Sequence, residues 1–247
     1  GRGLVLRDVA RRAGLDIRSI TYGATVLDID GDGWDDVAIS RHTERGRVLL
    51  GGRGRFHPAP GSPLPAVDRH GCAAGDIDGD GRDELACAIG AARGTRLKSD
   101  ELWHGLDTST PRQLGPAVGV DDPLGRGRRA AFADLDLDGD PDLVMTADPL
   151  RVDGLPSLDR AFRNDGEAGF SQGGSFGLEL PIGGSCLVVA DLVGDATPEV
   201  VVCSDEPWGS RPGLHLFARR GERYADAGRS LGVRPAGAVD AAAGDLD

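Results

Sequence analysis

Asp28-Ile-Asp-Gly-Asp-Gly-Trp-Asp-Asp36 lies between two short apolar runs, Ala24-Thr-Val-Leu27 and Val37-Ala-Ile39. The pattern returns as Asp76-Ile-Asp-Gly-Asp-Gly-Arg-Asp-Glu84 before Leu85-Ala-Cys-Ala-Ile89, and as Asp134-Leu-Asp-Leu-Asp-Gly-Asp-Pro-Asp142 before Leu143-Val-Met145. A decayed fourth copy, Asp191-Leu-Val-Gly-Asp-Ala-Thr-Pro-Glu199, precedes Val200-Val-Val-Cys203, and a fifth begins at Asp245-Leu-Asp247. The first aspartates are 48, 58, 57 and 54 residues apart, a period that suits one small antiparallel sheet per repeat. Apolar runs this short, rich in β-branched residues, read as strands buried on both faces, so each acidic segment becomes the turn of a hairpin. A second apolar pair closes most units: Val48-Leu-Leu50 with Phe56, Ala161-Phe162 with Phe170, and Leu214-His-Leu-Phe217 with Tyr224. Four short strands in about 55 residues is the pattern of a propeller blade. The expectation is therefore an all-β chain, one β-propeller unit over residues 1–247. Its four-stranded antiparallel blades fall near 6–56, 57–113, 114–170 and 171–224, with the next starting at 225–247. Only residues 9–15 carry a helical apolar period.

Composition narrows the function. The chain has 247 residues, 39% apolar and 28% charged, too apolar for disorder and without an apolar run long enough to span a membrane as a helix. The formal net charge is −12, and the three acidic nonapeptides hold fifteen of the forty acids with a single base, Arg82. The remainder is close to neutral. No basic stripe exists to displace phosphate counterions, which argues against a nucleic-acid partner. The first residue is Gly and the only methionine is Met145, so the sequence reads as a piece of a longer protein.

Cys72 and Cys87 lie four before and eleven after the first Asp of their motif, and Cys186 and Cys203 five before and twelve after theirs. Both pairs share a midpoint, so each pair faces across its hairpin. Two readings are open: two disulfides in an oxidising compartment, or four small buried apolar side chains.

Carboxylates at positions 1, 3 and 5 with Gly at 6 turn oxygen ligands inward around a hard cation. Without one, two unit charges ~4 Å apart repel by roughly 4 kcal/mol at an effective dielectric of ~20. With neither His nor Cys in the loops, Ca²⁺ is favoured over zinc, and Mg²⁺ over-demands a small octahedral site. An EF-hand would need Glu at position 12, where Ile39, Cys87 and Met145 stand; the acid falls at position 9 instead. The candidate ligands are side chains at 1, 3, 5 and 9 and the backbone carbonyl at 7. They are Asp28, Asp30, Asp32, Trp34 and Asp36; Asp76, Asp78, Asp80, Arg82 and Glu84; and Asp134, Asp136, Asp138, Asp140 and Asp142. About three Ca²⁺ sites are expected. The alternative, a plain solvated acidic turn, has to explain three copies in phase with a blade-length repeat. In the fourth copy Val193 replaces the position-3 acid and Ala196 the glycine, leaving Asp191, Asp195 and Glu199. That copy is expected to keep its hairpin and lose most of its ion affinity.

These loops resemble those of FG-GAP and VCBS repeat proteins, the integrin α-subunit type of seven-bladed propeller. Leu6-Arg-Asp-Val-Ala, Ala13-Gly-Leu15 and Phe162-Arg-Asn-Asp-Gly166 with Gly169-Phe170 are similar to segments of the cartilage acidic protein family. The resemblance implies calcium at the ligand sets just named. It also implies that the chain holds about four to five blades of a seven-bladed ring. The literal Phe-Gly and Gly-Ala-Pro signatures are absent, and Glu84 stands where the pattern has Asp.

Calcium loops of extracellular modules work at roughly 10⁻⁴–10⁻³ M, which points to an extracellular or periplasmic protein. The expected function is a binding or adhesion module for a protein or glycan, held by loops opposite the calcium hairpins. Those loops are 41–46, 57–71, 91–100, 148–160 and 205–213, with His42, His70, Lys98 and Trp208. The competing class is an enzyme on a calcium-stabilised propeller, of the polysaccharide lyase or biosynthetic cyclase type. The sequence contains no His-Glu-x-x-His, phosphate loop or Cys-x-x-Cys, and Gly228-Arg-Ser-Leu-Gly232 matches a nucleophile elbow in letters only. No catalytic residue and no organic cofactor are assigned. Convergence of His42, His70, arginine and acids in a deep pocket would favour catalysis; a shallow mouth would favour binding.

Overall fold

The computed structural model describes residues 5–90, 99–148, 150, 153–155, 157–166, 169–172, 176–204, 213–233, 238 and 240–244. Among them the chain is all-β, an incomplete β-propeller of four blades, each a four-stranded antiparallel meander. Blade 1 is β1 (Thr21–Leu27), β2 (Asp36–Arg45), β3 (Arg47–Gly52) and β4 (Arg55–Pro58); blade 2 is β5 (Ala66–Gly75), β6 (Glu84–Ile89), β7 (Glu101–His104) and β8 (Arg112–Gln113). Blade 3 is β9 (Gly127–Ala133), β10 (Asp142–Ala147), β11 (Arg160–Asn164) and β12 (Phe170–Gln172). Blade 4 is β13 (Cys186–Ala190), β14 (Glu199–Ser204), β15 (Gly213–Arg220) and β16 (Arg223–Asp226). The first strands β1, β5, β9 and β13 lie side by side. At Gly71 the backbones of β5 and β9 come so close that a Cβ would stand 2.7 Å from the Arg128 carbonyl oxygen. One helical turn, α1 (Ala10–Ala13), falls inside the 9–15 segment and packs on β4.

The second strands show why the apolar runs lack alternation. Every residue of β6, β10 and β14 is buried, and successive side chains enter different cores because a strand sends neighbours to opposite faces. Leu85, Cys87 and Ile89 join the core shared with blade 1, while Ala86 and Ala88 join the one shared with blade 3. Leu143 and Met145 face blade 2, and Val144 faces blade 4. Val200 and Val202 face blade 3, and Val201 joins a small outer cluster with Leu216 and Ala227. The hydrophobic layers thus lie between the sheets, at roughly 25 cal/mol per Å² of apolar surface removed from water.

Both cysteine pairs are disulfides, Cys72–Cys87 in blade 2 and Cys186–Cys203 in blade 4. Each joins directly opposed residues of the first and second strands. Segments 41–46 and 57–71, expected as loops, are in large part strand. β2 continues to Arg45 and β5 begins at Ala66, and His42 pairs with Asp68 and Arg45 with Ala66. The polar end of β2 thus finds backbone partners at the start of β5, and this fuses blades 1 and 2 into one eight-stranded sheet. No described helix is long and apolar enough to cross a membrane.

Candidate metal centres and a polar cluster at the opposite end

All four acidic segments close the hairpin between the first and second strands, and they share one internal scaffold. The position-1 carboxylate accepts the amide N–H groups of positions 5 and 6: Asp28 from Asp32 and Gly33, Asp76 from Asp80 and Gly81, Asp134 from Asp138 and Gly139, Asp191 from Asp195 and Ala196. The position-5 carboxylate accepts the N–H of position 7, that is of Trp34, Arg82, Asp140 and Thr197. This winding needs a left-handed residue at position 6, where φ is +80° at Gly33, +84° at Gly81, +102° at Gly139 and +69° at Ala196. Only the last lacks glycine, and a side chain there costs about 1–2 kcal/mol.

The position-9 acid is the first residue of each second strand, and it is buried in all four copies: Asp36, Glu84, Asp142 and Glu199. One of its oxygens accepts the N–H of position 2 at 2.8–3.1 Å, from Ile29, Ile77, Leu135 and Leu192. In the first three copies the other oxygen reaches the third strand. Asp36 accepts from the Gly51 amide at 2.7 Å and Asp142 from the Asn164 amide at 2.9 Å, whereas Glu84 meets His104 Nδ1 at 2.9 Å. Within the first three loops, ligand atoms of Asp28, Asp30 and Asp32, of Asp76, Asp78 and Asp80, and of Asp134, Asp136 and Asp142 gather within 4.8 Å. Burial pushes Asp30, Asp36, Glu84 and Asp136 above their ordinary values, and neighbouring carboxylates add to the rise. Asp142 is pushed up to about 7 by burial, against the two amides it accepts and with Asp136 and Asp138 beside it. Asp136 Oδ1 is buried without a hydrogen-bond partner. A crowded, under-compensated set of hard oxygens fits a divalent cation.

Each loop is also held by the following blade. Asp83 in the second loop donates its N–H to the Asp28 carbonyl and accepts the Asp28 N–H, both at 2.8 Å. Asn164 Nδ2 donates to the Ile77 carbonyl at 2.9 Å, and the Tyr224 hydroxyl to the Leu135 carbonyl at 3.2 Å.

A model of the FG-GAP-like repeat matches residues 28–87 and 134–202, just over half of the chain. The chain belongs to the FG-GAP-like repeat family. No match is found among curated proteins, so no homologue supports the finer likeness to the cartilage acidic protein family. Among solved structures the chain is similar to the V. cholerae biofilm matrix protein Bap1, at 16% identity and a TM-score of 0.43 over 79% of this chain and 26% of that one. It is also similar to the exotype rhamnogalacturonan lyase YesX, at 18% identity and a TM-score of 0.42 over 80% of this chain and 44% of that one. The FG-GAP chain thus spans less than half the length of either, and likeness at this level does not extend to ligand or activity.

At the other end of this FG-GAP propeller, polar side chains from three first strands and β2 converge. Asp68 Oδ1 stands 3.0 Å from His70 Nε2 and 2.5 Å from His42 Nδ1. The His42 approach lacks hydrogen-bond alignment. Arg128 Nη1 donates to His70 Nδ1 at 2.7 Å, and Arg128 and Arg126 both pair with Asp148. Tyr22 meets both imidazoles edge-on. Burial, with Arg128 alongside, pushes His70 down to about 4, so it is neutral at pH 7, accepts at Nδ1 and donates from Nε2. The fold thus brings His42 and His70 together, a convergence the sequence left open, while Lys98 and Trp208 lie outside the described residues, as does the fifth motif at 245–247. Gly228–Gly232 forms turns after β16, with the Ser230 hydroxyl donating to the Ala227 carbonyl rather than standing at the head of a helix. The loop spacing gave no sign of His104, Arg163 or Asn164, which enter from third strands.

Proposed function

We propose that this FG-GAP chain is a calcium-stabilised propeller segment that works outside the cytosol as a binding or adhesion module for a protein or glycan. The observation that carries the reading is the repetition of one oxygen-rich scaffold three times, with its buried acids pushed above their ordinary values. Asp28, Asp30, Asp32 and Asp36 with the Trp34 carbonyl would hold one Ca²⁺. Asp76, Asp78, Asp80 and Glu84 with the Arg82 carbonyl would hold a second, and Asp134, Asp136, Asp138 and Asp142 with the Asp140 carbonyl a third. Three ions would halve the net charge of −12. The two disulfides suit an oxidising compartment, where millimolar calcium is also found. The recognition surface is the Tyr22–His42–His70–Arg128 end, open to solvent at Tyr22 and His42. Melting with Ca²⁺ and then with a chelator tests the first half: equal melting temperatures would reject it. Glycan and secreted-protein arrays probed with the calcium-loaded chain test the second, with hits expected to vanish in the His42→Ala/Arg128→Ala variant.

One observation favours an enzymatic alternative. The half-exposed His42 imidazole lies beside the Asp68 carboxylate and the Tyr22 ring, a grouping of the kind that general acid–base chemistry uses. Reducing ends released from a polysaccharide panel by the wild type and not by His42→Ala would support this reading over simple binding.

A further inference from the structure

The three complete FG-GAP loops are nearly identical in sequence, and the structure separates them by one residue outside each. One step beyond the cross-strand pairs Val37–Leu49, Leu85–Trp103 and Leu143–Phe162, the position-9 acids Asp36, Glu84 and Asp142 face Leu50, His104 and Arg163 on the third strands. We propose that this third-strand residue sets which cation each loop takes. Leu50 leaves the first loop an all-oxygen Ca²⁺ site, His104 opens the second Ca²⁺ loop to Zn²⁺ in place of Ca²⁺, and Arg163 supplies the third with a cation of its own. The proposal rests on the reading of these loops as metal sites.

In the first loop Leu50 is packed into the core and offers no charge or donor. The Arg82–Asp107 pair that borders this loop is neutral as a unit. In the second loop ligand atoms of Asp78, Glu84 and His104 lie within 4.8 Å of one another. Glu84 is one methylene longer than the aspartates at its equivalents, and its Oε1 lies against the His104 imidazole where the other loops supply a backbone amide. Two carboxylates and an imidazole are a donor set that zinc accepts more readily than calcium, which takes six to eight oxygens; without zinc the oxygens of Asp76, Asp78, Asp80 and Glu84 remain for Ca²⁺. In the third loop Arg163 Nη2 stands 2.7 Å from Asp136 Oδ2, and its guanidinium is held over the Phe176 ring, 5.2 Å from the centroid. The Asp136 side chain is only 8% exposed, its Oδ1 is left without a hydrogen-bond partner, and its carboxylate lies within 4.8 Å of ligand atoms of Asp134 and Asp142. The loop therefore still has an oxygen for an ion, at a net charge one unit less negative than its sequence suggests.

Metal-free wild-type chain and its variants would be titrated with CaCl₂ and with ZnCl₂ by calorimetry, with stoichiometry read by native mass spectrometry. One Zn²⁺ is expected on the wild type. His104→Leu is expected to weaken it at least tenfold while Ca²⁺ uptake persists, and Glu84→Asp, a milder change, should do the same. Arg163→Leu is expected to tighten the weakest Ca²⁺ event by on the order of tenfold, since one nearby positive charge is removed. Zinc binding unchanged in His104→Leu, or lost instead in a His42→Ala/His70→Ala variant, would overturn the zinc assignment. No tightening in Arg163→Leu would overturn the role of that side chain. Absence of Ca²⁺ uptake by the wild type would instead overturn the calcium reading, with the zinc titrations still reporting on His104.

Discussion

The first three acidic loops and the fourth are wound by the same hydrogen bonds, yet their charges sit in opposite conditions. In the first three, burial and crowding hold Asp30, Asp36, Glu84, Asp136 and Asp142 above their ordinary values. In the fourth, the amide of Ala196, followed by those of Gly194, Asp195 and Val193, holds the exposed Asp191 below its own. Losing the position-3 acid and the position-6 glycine has left a loop that its own backbone satisfies. The hairpin is thus a property of positions 1, 5 and 9, and ion demand is a property of position 3 and of the crowding it creates.

The largest test of this contrast is chelation. Each occupied loop should add about 2.7 kcal/mol at a hundredfold excess of calcium over its Kd. Urea denaturation with and without chelator should therefore show a loss of several kcal/mol in the wild type, and an equal loss in a Val193→Ala variant. Next in size, Asp142→Ala in chelator should cost about 3 kcal/mol, because the Leu135 and Asn164 amides both lose their acceptor. Glu199→Ala, with the Leu192 amide alone to orphan, should cost about 1 kcal/mol, and equal losses would erase the distinction. Smaller still, Ala196→Gly should stabilise by about 1 kcal/mol through relief of its left-handed φ. Combined with Val193→Asp, it should add one calcium to the count by native mass spectrometry.

The contrast also has a pH signature. Asp142 has a folded value of about 7 against an ordinary 3.8, so in chelator its contribution is fully present below about pH 4 and is lost as pH rises through 7. Asp191 is shifted the other way, so its contribution is present above the ordinary value and lost as pH falls. Calcium should abolish the decline due to Asp142. Asp100 and Asp159 at the opposite end, both pushed up to about 7 by burial, should keep a decline of the same sign whether or not calcium is present. Stability measured from pH 4 to 8 in an Asp100→Asn/Asp159→Asn background leaves the loops and a calcium-independent rise from His70, which is of opposite sign; a decline there that calcium leaves untouched would count against metal at Asp142.

The loops and their hairpins were legible because their signal is local: nine residues with fixed spacing, flanked by runs that have to be buried on two sides. The position-9 acids were legible as candidate ligands for the same reason, but their backbone role was hidden, since it depends on which amides approach them. His104 and Arg163 were missed because the chain between a loop and its third strand varies, so the facing residue falls 14, 20 or 21 positions after the acid. The continuation of β2 and β5 was missed because Arg41-His-Thr-Glu-Arg45 is polar and lacks the apolar run by which a strand is read, and its pairing with Ala66 and Asp68 is non-local. His42 and His70 were placed at the same end, but their meeting on Asp68 is a product of that pairing.

The bonds by which Asp83, Asn164 and Tyr224 each grasp a carbonyl in the preceding loop give the assembly a direction. A blade pulled away strips the donor from a carbonyl of its predecessor as well as the apolar layer between them, so rupture at one boundary weakens the loop behind it. Under tension along the chain, such a structure should yield sheet by sheet, with every yielded sheet loosening the ion grip of the one before.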